Sequence, residues 1–504
     1  MTQSSLPTGS TRHSPGSFRE LLAVAVPLIL SSSSLSLMHV IDRVFLTWYS
    51  GDALAASAPA GMLNWLMMSV TLGTLTYVNT FVSQYEGADR PARVSASIWQ
   101  GVYLALASGV LFFGLAPLAP KIFALIGHRP EVQRLEVEYF SVYCMGAVPI
   151  CLATVLSCFY SGRGENHVVL YVDLAACLVH AVFDWVLIFG WGPIPPMGMT
   201  GAAVATIVAY VFTVAMFVLL MLRPHIRARY HPGRHWRLDL ELLKRLARYG
   251  LPSGIHWFVD IAAFSMFIFV VGTIDKTSLM ATNMAFNINS LAFIPMTGIG
   301  TAVLTLVGRR IGENRPDLAV RSTWMAFSIA ATWMLCFGAV FVLAPEFFLK
   351  IYSSYSKDDS IGLVVDETVV LLRFVALYSF FDGMGIIFGS AVRGAGDTLF
   401  PLFISAVVGW TVMVIPTWFF VHSDRPDRLI LSWWSCSIYV IIAGLGLMMR
   451  FQLGPWKRMR VIESRSEIDA EKIAESEGPA AAEEAEECVK LVEAVQKKVG
   501  PKDD

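Results

Sequence analysis

Between Leu21 and Arg450 the chain alternates long apolar runs with short polar breaks. A run of about 18 or more apolar residues, at about 1.5 Å of rise each, crosses a hydrocarbon core about 30 Å thick. The pattern predicts about twelve membrane-spanning helices, over residues 21–48, 57–84, 94–117, 137–160, 168–190, 200–222, 249–272, 278–306, 323–345, 368–390, 399–421 and 430–450. The first run follows a polar start and exceeds the core of a signal peptide, about 7–15 residues, so it is expected to remain as a helix.

The runs repeat. "AVPLILS" answers to "YGLPSGI", "PAGMLNWLMMSVTLG" to "MAFNINSLAFIPMTG" and "SQYEGADRP" to "GRRIGENRP". One offset holds throughout: 252 − 27 = 225 for the prolines, 289 − 64 = 225 for Asn289 and Asn64, 312 − 87 = 225 for Gly312 and Gly87. Farther along, "SGRGEN" pairs with "AVRGAGD" at 393 − 163 = 230, which implies about five inserted residues. Six helices per repeat is an even number, so both halves enter from one side and are related by a pseudo-two-fold axis along the membrane normal. The expected fold is all-α: two six-helix bundles around a central cleft.

Lysine and arginine orient it. Arg90, Arg93, Arg163, the basic 223–248 segment, Arg309, Arg310, Arg315, Arg393, Lys457, Arg458 and Arg460 crowd one set of loops. The opposite loops are sparser, so both termini are expected in the cytoplasm and the chain in the plasma (inner) membrane as a multi-pass protein. The organisation is then a cytoplasmic tail at 1–20, a first lobe at 21–222, a basic linker at 223–248, a second lobe at 249–450 and an acidic tail at 451–504. In that tail Cys488, Leu491, Val492, Val495 and Val499 fall on one helical face.

Composition agrees with a membrane protein. The chain is 55% hydrophobic and 15% charged, against about 25% charged in soluble domains, and its mean hydropathy is +0.58. A net charge of −1 argues against nucleic acid as a partner. Cys144, Cys151 and Cys158 recur every seven residues on the fourth span, as small residues at a helix interface do. No nucleophile with a base, metal-ligand spacing or phosphate loop emerges, so neither an enzyme nor a cofactor is expected.

A charge near the bilayer centre costs at least about 2.5–3.5 kcal/mol, which makes each one kept there informative. Asp42 and Asp184 each lie six residues before the outer end of their span, about 9 Å down. Asp260 and Asp382 lie roughly 16 Å and 12 Å from the cytoplasmic end. Each lobe therefore holds two acids at one level. Two acids buried together cannot both stay ionised cheaply, so each pair is a candidate to exchange a proton or bind a cation such as sodium.

His180 and Tyr378 each precede an acid by four residues and share its face. His39 precedes Asp42 by three, and Thr206 is level with the first pair. Asn283 and Asn287 share a face of the eighth span and would serve substrate binding or interhelical hydrogen bonding equally well. Asp173, five residues into its span, reads as interfacial.

With these residues in view, "LAVAVPLILSSSSLSLMHVIDRVFL", "GDALAASA", "FVSQYEGA", "GLPSGIHWFVDIAAFSMF", "VGRRIGENR" and "YSFFDGMGIIFGSAVRGAGDT" resemble the multidrug and toxic compound extrusion (MATE) transporters from about residue 20 to 450. The resemblance implies a V-shaped twelve-helix antiporter that exports organic cations and other amphiphiles in exchange for protons or sodium. It places Asp42, Asp184, Asp260, Asp382 and Tyr378 on the family's acidic positions and its tenth-helix tyrosine, with Thr206 beside the fifth-helix acid. His180 stands where the family often has asparagine, and imidazole is a poor ligand for a hard ion. Asp260 replaces a frequent glutamate.

Other readings exist. A lipid-linked oligosaccharide flippase of the same broad fold would want a basic cleft to hold a pyrophosphate, and the spans offer few inward basic residues besides Arg43. A receptor or scaffold that transports nothing would signal through the acidic tail. A small organic molecule, a proton or sodium ion and membrane lipid are the expected partners.

Overall fold

The computed structural model describes residues 14–126, 128–353 and 361–463. Residues 1–13 and the tail from 464, with the helical face that includes Cys488, lie outside the described residues. Within them there is no strand, only an isolated bridge between Trp191 and Ile194.

The first lobe comprises α1 (Phe18–Tyr49), α2 (Gly51–Leu75), α3 (Val78–Gly87), α4 (Pro91–Leu115), α5 (Ala119–Ile126), α6 (Pro130–Met145), α7 (Ala147–Gly162), α8 (Asn166–Phe189) and α9 (Gly198–Met221). A short α10 (Pro224–Tyr230) lies in the linker. The second lobe comprises α11 (Leu240–Gly272), α12 (Lys276–Gly312), α13 (Pro316–Leu343), α14 (Glu346–Ser353), α15 (Ile361–Ala395), α16 (Leu399–Phe403), α17 (Ile415–Val421) and α18 (Arg428–Leu453). Ten segments are single helices long and apolar enough to span a membrane, and α6 with α7 forms one more, bent by 48°. The α2–α3 segment supplies the remaining helix of the first repeat.

Local chemistry sets the ends. Ser17, Asp239 and Asp275 cap α1, α11 and α12 by accepting a backbone N–H three residues on. The turns after α3 and α12 are copies: Asp89 (φ 54°) and Asn314 (φ 58°) are left-handed, and Arg90 and Arg315 donate their N–H to Tyr85 and Arg310. Asp and Asn tolerate that conformation better than other non-glycine residues.

The same turn recurs after α7 and α15. Gly164 (φ 80°) and Gly396 (φ 122°) carry it, with Glu165 N–H bonded to Tyr160 and Asp397 N–H to Val392. Their spacing is 396 − 164 = 232, so seven residues rather than five separate the later offset from 225. Arg163 and Arg393 are therefore not equivalent. Arg163 sits just past α7, its guanidinium 4.5 Å from the Phe159 ring and 4.3 Å from that of Tyr230. Arg393 lies inside α15, not in a loop, with Nε 3.4 Å from the Gly389 carbonyl oxygen.

The linker is less a tether than a strap. Side chains of α4 donate to its carbonyls, Ser95 to Tyr230, Trp99 to Pro232 and Gln100 to Arg237. We call the end of the molecule bearing this strap basal and the other distal.

The lobes meet at the basal end by close backbone crossings. A Cβ added to Gly87 would lie 2.1 Å from the Arg309 carbonyl oxygen, and one on Gly312 2.1 Å from that of Gln84. These contacts exchange under the repeat, since 312 − 87 and 309 − 84 both equal 225. Gly73 against Gly254 and Gly298 against Ile29 form a second related pair. Around them Asn79 Nδ2 donates to Thr305 Oγ1 at 2.8 Å, Tyr77 Oη to the Arg393 carbonyl at 2.8 Å, and Arg310 Nη2 to Glu20 Oε1 at 2.5 Å.

Above this seam the lobes part. At about 100° per residue, Asn283 and Ser290 fall on the face of α12 that makes the Gly308 contact with Ser83, and Asn287 lies within about 60° of it. Asn283 and Asn287 are exposed, as are Met62 and Trp65 in α2, the repeat partners of Asn287 and Ser290. That face is exposed in both halves.

Candidate functional site

In the first lobe, α1, α8 and α9 bring Asp42, His180, Asp184 and Thr206 together. All four are buried. Asp42, His180 and Asp184 each present a ligating atom, and these atoms lie within 4.8 Å of one another. His180 Nε2 is 3.2 Å from Thr206 Oγ1 and 3.3 Å from Asp42 Oδ1. Thr206 Oγ1 also donates to the Ala202 carbonyl at 3.1 Å, and His180 Nε2 faces both that hydroxyl and Asp42. Asp42 Oδ1, both oxygens of Asp184 and His180 Nδ1 are buried without a hydrogen-bond partner. Below them Met38, Cys177 and Ala209 form an apolar floor.

Such orphaned oxygens are rare in proteins, because removing a carboxylate from water uncompensated is expensive. The arrangement can take up a proton or a small cation and release it again. Helix α6 completes the site. The Tyr139 and Tyr143 rings are 4.8 Å apart, both phenols lie in electrostatic range of Asp42, and Tyr143 hydrogen bonds to Thr206. Sequence reasoning passed over these tyrosines, although their four-residue spacing in "YFSVY" puts both on one face.

The second lobe is built differently. Asp260 Oδ1 on α11 accepts from Tyr439 Oη at 2.8 Å and from Ser405 Oγ at 3.2 Å. Asp382 on α15 is half-buried and within electrostatic range of Asp260, and it has no hydrogen-bond partner among the described residues. Tyr378 is buried beside it. Ser405 reaches the site from an eleven-residue π-helical stretch, Ile404–Val414, between α16 and α17. Such stretches are rare and favour functional sites; Ser405 and Tyr439 left no signal in the sequence.

The remaining candidates are less central. Asn287 donates to the Asn283 carbonyl of its own helix at 2.8 Å, and both asparagines are exposed. His39 is exposed on α1, in electrostatic range of Asp42, and Arg43 is exposed. Asp173 is half-buried and accepts from Ser31 Oγ between α1 and α8.

With the geometry in hand, comparison with known proteins is direct. The MatE family model matches residues 27–186 and again 252–418. The chain belongs to the MatE family. Its two matches begin 252 − 27 = 225 residues apart, the offset of the internal repeat. Among curated MATE relatives, a "Probable multidrug resistance protein NorM" of Burkholderia pseudomallei is 28% identical over 88% of this chain and 94% of its own. Another of that name from Agrobacterium fabrum is 25% identical over 80% and 86%. Among solved structures, an "Outward-facing conformation of a multidrug resistance MATE family transporter of the MOP superfamily" superposes with a TM-score of 0.78 at 19% identity, covering 88% of this chain and 97% of that one. The "eukaryotic MATE transporter AtDTX14" gives 0.78 at 18%, over 87% and 96%. The twelve-helix, two-bundle MATE fold is thus this protein's fold, and the chain is a multi-pass membrane protein of a multidrug efflux family.

Proposed function

We propose that this protein is a proton-coupled antiporter that exports organic cations and amphiphilic compounds by alternating access. The observation that carries the reading is the first-lobe cluster, where two carboxylates and a histidine hold four orphaned polar atoms in one buried place. A site with no internal partner for its charge is suited to exchange one with solvent, and each unit charge moved gains about 2.3 kcal/mol per 100 mV. Imidazole in the cluster favours a proton over sodium, which prefers oxygen ligands. In the second lobe the half-buried carboxylates of Asp260 and Asp382 offer a counter-charge to cationic cargo entering from the cleft.

The multidrug names of the relatives support the same cargo class. The loop charges support a cytoplasmic basal end with both termini there, in the plasma (inner) membrane, and the linker is read as running from 223 to Asp239, where it caps α11 of the second lobe. With the basal seam closed, the cleft then faces outward.

The test is ethidium transport into inverted vesicles under an imposed pH gradient or an imposed sodium gradient. The pH gradient is expected to drive it, and Asp42→Asn to abolish it. Transport that follows sodium alone would overturn the proton assignment, and transport that follows neither would overturn antiport.

A further inference from the structure

We propose that His128 and Glu136 form the distal mouth of a proton route that descends one face of α6 to the Asp42–Asp184 cluster. This rests on the reading of that cluster as the proton site. Glu136 is wholly buried, yet one oxygen, Oε2, has no partner. Its other oxygen lies 2.7 Å from Nδ1 of His128, whose side chain, in the loop before α6, is 38% exposed. A solvent-reached imidazole thus touches a buried acid. A purely structural tie would need one oxygen and no charge, which glutamine supplies at less cost than an orphaned carboxylate.

Helix geometry carries the route onward. Tyr139 and Tyr143 follow Glu136 by three and seven residues, within an arc of about 60° on α6, and all three side chains are buried. From Tyr143 the path runs through Thr206 and His180 to Asp42, over contacts of 3.2 Å and 3.3 Å at its last two steps. A proton accepted from water at His128 passes to Glu136; each phenol and hydroxyl below takes one proton and gives one, and the Nε2 lone pair of His180 takes the proton from Thr206 and hands it to Asp42, the ring's own proton staying on Nδ1. No intermediate group changes charge overall.

Little else facing Glu136 competes for that proton. On α6 itself Glu131 is exposed in the first turn, and Arg134 and Glu138 pair at 2.9 Å on the exposed side. Lys121 of α5 is exposed, and Arg129 follows His128 in the loop. Of the other helices packed on α6, α7, α9 and the distal half of α4 carry no charged residue, and α2 carries only Asp52 near its distal start.

The experiment uses the full chain in proteoliposomes with ethidium as the probe. Initial rates are measured against the pH on the distal side, alongside thermal melts of each variant. Glu136→Gln is expected to slow pH-driven transport at least about tenfold and flatten its dependence on distal pH, while final accumulation, set by the gradient, is unchanged. Glu136→Asp should recover most of the rate, and His128→Asn should reproduce the flattened profile in part. A wild-type rate and profile in Glu136→Gln, or a Glu136→Asp as slow as the Gln variant, would overturn the route. Should Glu136→Gln fail to insert, Glu136→Asp and His128→Asn carry the test, and wild-type profiles in both count against it. Asp42→Asn separates the two claims: full pH coupling in that variant sinks the proton site itself, whereas a dead Asp42→Asn beside a normal Glu136→Gln sinks only the route.

Discussion

In the first lobe Asp42 and Asp184 share a closed pocket with His180, and three of their four oxygens have no partner. In the second lobe Asp260 is tied by Tyr439 and Ser405, while Asp382 stands half-buried beside it. Two halves written with the same helical repeat thus hold their acids in opposite ways. A sealed pair with idle oxygens favours a particle small enough to enter along hydrogen bonds. A half-buried pair, one acid held by two hydroxyls, favours a larger, charged cargo arriving through a cleft. The difference lies not in the acids but in what surrounds them: an apolar floor of Met38, Cys177 and Ala209 below the first pair, and a tyrosine and a π-helical serine behind the second.

The comparison can be broken most forcefully at the first pair. Asp42→Asn and Asp184→Asn should each lower pH-driven ethidium transport by at least about a hundredfold, since losing either acid removes the exchange site. Comparable transport in either variant would equate the lobes. Next comes Asp382→Asn, expected to weaken binding of cationic dyes about tenfold, about 1.4 kcal/mol, while a neutral amphiphile binds as before in equilibrium fluorescence. Equal losses for both ligands would remove the charge argument.

A smaller effect sharpens the ion assignment. His180→Asn replaces imidazole with a carboxamide oxygen, so its transport should gain a sodium response of a few-fold (about threefold) that the native protein lacks. The smallest is Tyr439→Phe. It deletes one hydrogen bond to Asp260, worth about 0.5–1.5 kcal/mol, and should weaken cationic dye binding a few-fold without altering the pH dependence.

Much of the architecture was legible because lipid is a simple solvent. Helices must satisfy their own backbone there, so run length alone located the spans, and the constant offset of 225 revealed two lobes. Even the left-handed turns at Asp89 and Asn314 were implicit in "GADRP" and "GENRP". The second offset was misjudged by two residues because two arginines were aligned where the structure aligns the glycines of the turn, Gly164 and Gly396. Positive φ constrains a position more than charge does.

The site was legible only in part. Asp42, Asp184, Asp260 and Asp382 announced themselves by the cost of a charge in an apolar run. Glu136 does not, because the apolar run of the fourth span begins only at 137, whereas the helix begins at Pro130 and buries that glutamate completely. Tyr439 and Ser405 were silent for another reason: a hydroxyl is unremarkable in a membrane helix until its partner is known.

By itself the sequence determined the spans, the doubling and the four acids, since each follows from hydropathy or spacing along the chain. Only the tertiary structure decided that His180 meets both Thr206 and Asp42, that the glycines cross at the basal seam, and that one acid pair is buried while the other is half-buried. Those outcomes depend on which faces of separate helices meet, and in lipid that is settled by close packing and hydrogen bonding between helices, which leave no period in any single one.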